Sequence, residues 1–226
     1  AWWLKRIFPE WRLGVARDPA LTRKLFDYSR ITFGITIAWM VIFNTDSLLL
    51  GLFASTAAAG IYNPATQLAL YMRHLVNAVG TPLTAAVAHA NGSADMERAK
   101  AQYLRLFGYA SYGAFAVMSL VIIFAVPLVT FWLPNGFDDT AKAMIILSIG
   151  SAVFIPHILS NSMLFAVNKH RLLLYTVIGE ALLKIILAVA LIRPMGAVGV
   201  ALANAIPQVL VYTAIYPFLV GQTLQI

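Results

Sequence analysis

Three apolar stretches of this chain carry polar side chains at helical spacing. Asn204, Gln208, Tyr212 and Tyr216 recur every four residues. Tyr62, Thr66, Arg73, Asn77, Thr81 and Thr84 fall close to one face of a second stretch, and Glu180 and Lys184 stand one turn apart in a third. Residues i and i+4 lie one above the other on a helix. Each helix is therefore apolar around most of its circumference and wet along one stripe. A charge facing lipid costs about 3 kcal/mol or more, so such stripes turn toward a bundle interior or a water-filled cavity. The spacing predicts a cavity through which something polar passes.

Arg73 is the sharpest of these residues. It lies far from either end of its apolar stretch, so its side chain cannot easily reach the headgroups. A guanidinium stays charged and grips phosphate or carboxylate through two parallel hydrogen bonds. In a cavity it would favour an anionic substrate; the alternative is a structural pairing with Glu180 or with backbone carbonyls. Glu180 and Lys184 have the favourable order for an i, i+4 ion pair, which would either neutralise both charges or switch between two states. Asn204, Gln208 and Tyr212 suit sugar hydroxyls and equally suit hydrogen bonds between helices.

The elements that must position these groups are membrane helices. Hydrophobic residues make up 61% of the chain and charged residues only 11%, where soluble domains are nearer 45–50% and about 25%. Segments of alternating polarity, the mark of a membrane β-barrel, are not evident. With no cysteine, disulfides and thiolate metal sites are excluded. Nucleotide-binding loops, H-E-x-x-H pairs and Ser/His/Asp sets are missing too, and the four histidines lack metal-site spacing. An enzyme is not expected, nor a cofactor.

Residues 1–26 read as a cytoplasmic, interfacial linker in which Trp2, Trp3 and Trp11 sit among basic residues, with Pro9 and Pro19 preventing one continuous helix. Residues 27–226 read as a membrane domain of six spans, at 27–50, 61–88, 104–131, 141–166, 172–192 and 197–219. Residues 51–60 are expected as a short loop, Pro64 in the first turn of the second span, and Asp46 solvated near the far end of the first. Kinks are expected at Pro82 and Pro156, and Pro207 lies inside the sixth span. Charge orients the set. Seven Lys and Arg lie up to Arg30, three at 98–105 and two at 169–171, against Lys142 and Arg193 on the other side. This bias puts both termini in the cytoplasm. It also accounts for the net charge of +7 without a nucleic-acid partner.

Several motifs resemble one family. They are Asp46-Ser-Leu-Leu-Leu-Gly51, Gly60-Ile-Tyr62-Asn-Pro-Ala65, the ANGSADMERAK turn at 90–100, FWLPNGF at 131–137, FAVNKHR at 165–171 and GAVGVALANAIPQ at 196–208. In order along nearly the whole chain, they resemble polysaccharide-biosynthesis flippases of the multidrug/oligosaccharidyl-lipid/polysaccharide exporter superfamily. The resemblance implies an all-α polytopic fold in which these six helices are the C-terminal lobe of a two-lobe transporter, the N-terminal lobe belonging to the rest of a longer protein. It implies a flippase for lipid-pyrophosphate-linked oligosaccharide, working by alternating access in a bacterial inner membrane, with the lipid-linked glycan and membrane lipids as partners. Arg73, helped by Lys184, would hold the pyrophosphate. Asn77, Asn204 and Gln208 would meet the glycan, and Glu180 completes the candidate substrate-binding set. At Lys184 the sequence departs from the family's pattern, which often has Asn there. Two alternatives remain open: a cation-coupled multidrug antiporter of the same superfamily, for which Glu180 is the only deep acid, and a non-transporting membrane scaffold.

Overall fold

The structure, a computed structural model, describes residues 18–90, 96–133 and 136–224. Much of the Trp-rich linker, the turn at 91–95 and Pro134-Asn135 lie outside the described residues. Every regular element among the described residues is helical. The first, α1 (Pro19–Asn44), opens with Pro19 at a position that needs no N–H donor. Asp18 caps it, its carboxylate accepting from the N–H groups of Ala20 at 2.9 Å and Leu21 at 3.2 Å. The last eight residues of the expected linker are thus helical.

The expected first span breaks at Thr45 into α1 and α2 (Asp46–Phe53). The expected loop at 51–60 shrinks to the step before α3 (Thr56–Ala90), where the Ser55 hydroxyl accepts from the N–H of Ala58 at 3.1 Å. Pro64 is therefore well inside α3 rather than in its first turn, and α3 runs on through both Pro64 and Pro82. Next comes α4 (Met96–Trp132), whose apolar side chains Tyr112, Ile123 and Phe131 are largely exposed, as suits a lipid-facing surface.

Pro156 does break its helix. α5 (Asp138–Phe154) and α6 (His157–Ala166) are separated by Ile155-Pro156, and Pro156 has no N–H to continue the ladder. Together they form the most buried of the four helical stretches long and apolar enough to cross a membrane among the described residues. Ser148, Ser151 and Ala152 are buried there, and Gly150 lets α5 approach the last part of α7 closely. A Cβ on Gly150 would lie 2.9 Å from Ala205 Cα. Such small residues are how membrane helices gain close contact.

α7 (His170–Leu210) contains a hairpin. Gly196 adopts φ 54° and ψ −129°. A Cβ on Gly199 would sit 2.3 Å from the carbonyl oxygen of Leu191, although residues eight apart on a straight helix are separated by about 12 Å. The chain therefore doubles back, and 170–195 and 197–210 form two arms. A π-helical turn (Val211–Ile215) and α8 (Tyr216–Leu224) follow Pro207.

Four helical stretches among the described residues are long and apolar enough to cross a membrane: Pro19–Asn44, Lys100–Trp132, Asp138–Ala166 and His170–Thr223. The last would measure about 80 Å if straight, against a hydrocarbon core of about 30 Å. The turn at Gly196 resolves that mismatch. Two apolar cores hold the bundle, one around Ile35, Ile42, Met118, Leu159 and Val177 and one around Leu50, Ala125, Met144 and Val200.

Candidate functional site

Where α1 gives way to α2, backbone groups at a helix end lose their intrahelical partners. The carbonyl of Ile42 is one of them, and the Lys184 ammonium, reaching over from the first arm of α7, donates to it. The same ammonium pairs with Asp46 in the first turn of α2, Nζ to Oδ1 at 2.6 Å. A cation thus sits at a helix C-terminus and an anion at a helix N-terminus, each where the helix dipole favours it. The other Asp46 oxygen accepts from Tyr62 at 2.6 Å and from the Asn204 amide at 2.9 Å. Lys184 and Asn204 come from opposite arms of the α7 hairpin, so one carboxylate ties α2, α3 and both arms together.

Two sequence expectations change here. Asp46 is not solvated near a helix end but buried. Glu180 and Lys184 are not ion-paired: the Lys184 head is drawn to Asp46 and the Ile42 carbonyl, which offer it an anion and an orphan acceptor together. Glu180, also buried, accepts instead from the Tyr212 hydroxyl, Oε2 to Oη 3.0 Å, and its Oε1 has no partner.

The stripe at Asn204, Gln208, Tyr212 and Tyr216 is buried along its length. Asn204 goes to Asp46, Tyr212 to Glu180, and Tyr216 donates to Asn161 of α6 at 2.5 Å. Tyr212 and Tyr216 pack with ring centroids 4.5 Å apart, and His157 lies within 5.4 Å of each. The His157 Nδ1 and the Tyr103 hydroxyl meet at Ser160, at 3.1 and 2.8 Å. Interhelical bonding therefore takes up most of this stripe.

Arg73 is placed differently. Its guanidinium lies over the Phe43 ring, 3.9 Å from the centroid, a favourable cation–π geometry. Among the described residues no carboxylate lies within 4 Å of it. It borders a groove of about 530 Å³ walled by α1, α3, α5 and α6, in which Asn77, His74 and Asn161 supply polar groups and Trp39, Phe43 and Phe165 aromatic ones. Arg73 also borders a recess of about 40 Å³ that reaches Asp46, Thr66, Asn204 and Gln208. The groove can accept an anion at Arg73 and present stacking and hydrogen-bonding side chains to a polar, ring-shaped neighbour.

Of the six candidate residues, Arg73 and Asn77 face the groove and Asn204 and Gln208 the recess next to it. Glu180 and Lys184 border neither. Sequence reasoning missed Asp46 as a ligand of Lys184, and with it Tyr62, Asn161 and the aromatic wall. The available signal was the lysine itself, since a buried ammonium requires an acceptor and Asp46 is the other acid in an apolar stretch.

Residues 2–142 match a family model described as polysaccharide biosynthesis protein. No curated protein matches the chain, and neither does any solved structure.

Proposed function

Since the chain belongs to the polysaccharide biosynthesis protein family and is a membrane protein by its apolar helices, we propose that it is one six-span lobe of a flippase for lipid-pyrophosphate-linked oligosaccharide. The observation that carries the reading is Arg73: a cation over an aromatic ring at the wall of a groove, with no carboxylate beside it among the described residues. Such a cation is available to an incoming anion, and a diphosphate offers it a bidentate partner. Asn77 and Asn161 then meet the first sugars, and Trp39 and Phe165 flank their apolar faces, while the lipid tail stays in the bilayer.

The six spans of this reading are α1 with α2, α3, α4, α5 with α6, and the two arms of the α7 hairpin, the second continued by α8. Breaks at Thr45 and Ile155-Pro156 and the π-helical turn after Pro207 supply bending points for rocking against a second lobe. Each negative charge carried outward gains about 2.3 kcal/mol per 100 mV of inside-negative potential, which drives export without ATP.

The test is translocation of a fluorescent pyrophosphate-linked oligosaccharide by the full-length protein in proteoliposomes. Arg73→Ala, with its thermal stability checked, is expected to lose at least about 90% of the rate, since a lost charge-assisted contact is worth about 1.5–3 kcal/mol. Translocation that survives the substitution would return Arg73 to a structural role. A wild-type protein that moves no glycan, and no dye either, would be a scaffold.

A second reading rests on Glu180, whose buried and half-partnered carboxyl suits a proton- or sodium-coupled exporter. Proton- or sodium-driven dye export, lost in Glu180→Gln, would favour it.

A further inference from the structure

At the end of the molecule where α1 and α7 both begin lies a second cavity, of about 660 Å³, bordered by Lys24, Asp27, Tyr28, Lys169, His170 and Arg171. Four of these six side chains are basic or can be protonated. The one acid, Asp27, lies 3.5 Å from Arg30, which offsets its charge. The cavity also borders the N-terminus of the first arm of α7, which receives no side-chain cap. Uncapped N–H groups with the positive end of a helix dipole attract anions.

Two further observations point to a ligand. His170 borders the cavity, and its Nδ1, turned inward, is buried without a hydrogen-bond partner. Tyr28, edge-on to the His170 ring with centroids 5.1 Å apart, borders both this cavity and the groove that holds Arg73. The two spaces therefore adjoin through one side chain.

We propose that this cavity is a phosphate-binding site for an anionic lipid headgroup or diphosphate, separate from Arg73 and next to the mouth of its groove. Lys169 at the cap of α7, Arg171 in its first turn and Lys24 from α1 close on the phosphate from two helices. The positive end of the α7 dipole adds to their field. Both helices run from here into apolar sequence, so the site lies at the headgroup level, where anionic phosphates are concentrated. The proposal rests on the chain being a membrane protein and does not require that it transport glycan.

The test is ligand binding by the full-length protein in detergent micelles, followed by native mass spectrometry. One arm titrates phosphatidylglycerol and the other soluble pyrophosphate. Lys169→Gln with Arg171→Gln, both exposed side chains, is expected to weaken binding roughly tenfold or more, whereas Lys142→Gln elsewhere on the surface leaves it unchanged. Charge-preserving Lys169→Arg with Arg171→Lys should retain binding, which separates lost charge from misfolding. Weakening in the lipid arm alone assigns the site to bilayer lipid, and weakening in the pyrophosphate arm alone to a diphosphate. Equal affinity of wild type and the Gln variant in both arms overturns the proposal. Binding is read here and translocation there, so failure of the flippase reading and failure of this one are distinguishable.

Discussion

At the residue scale the molecule separates cations by what they already hold. Lys184 is held by an aspartate and a carbonyl and is buried away from solvent and from both cavities. Among the described residues, Arg73 holds only an aromatic face. The first arrangement builds structure and the second leaves room for a ligand, although both residues look alike as intramembrane charges. Removing one partner of a buried ion pair strands the other and costs about 3–5 kcal/mol, whereas replacing both is far milder. Lys184→Met is therefore expected to lower the thermal midpoint of the purified protein sharply. Lys184→Met combined with Asp46→Asn should recover much of that loss, because an Asn at 46 still serves Tyr62 and Asn204. A double-mutant cycle on the midpoints gives the coupling; additive single effects would mean that the pair does not act as a unit.

At the scale of elements, the hairpin in α7 decides the architecture. It brings Glu180 to Tyr212 and sets Lys184 and Asn204 on one carboxylate. Its tightest point is Gly199, where a Cβ would run into the Leu191 backbone at 2.3 Å. Backbone cannot yield as a flexible side chain does, and overpacking of this kind costs about 1–3 kcal/mol. Gly199→Ala should therefore destabilise the protein by at least that range's lower end. Gly60→Ala, with nothing within 4 Å of the new methyl, should be neutral or slightly stabilising, since alanine suits a helix better. Thermal unfolding of the two variants side by side checks this, and equal midpoints would contradict the hairpin geometry.

At the scale of the whole molecule, the charge bias along the sequence gives an orientation that the helices make testable. The ends of α1 and α7 near Lys24 and Lys169 belong to the basic side, and Lys142 at the start of α5 to the other. The chain contains no cysteine, so single cysteines at 169 and 142 can be labelled without background. In membrane vesicles a bulky maleimide is expected to reach one from the cytoplasmic face and the other only from the opposite face. Labelling of both from one face would undo the topology and with it the six-span reading.

The class of molecule was readable from the sequence because composition and helical periodicity are properties of the chain itself. An excess of apolar residues with polar groups every three or four positions has few stable outcomes other than a membrane bundle. The wet stripes were also legible, and so was the helix break at Pro156. What the stripes do was not, because i, i+4 spacing places side chains on a face without saying what that face meets. Glu180 and Lys184 have ideal spacing for each other, and tertiary structure overruled it: a helix end at Ile42 and an aspartate at 46 offered the ammonium a better site than its own helix did. The sequence determined which charges enter the membrane, and only the packing of α1, α3 and the α7 hairpin decided that Lys184 is consumed by structure while Arg73 faces a groove.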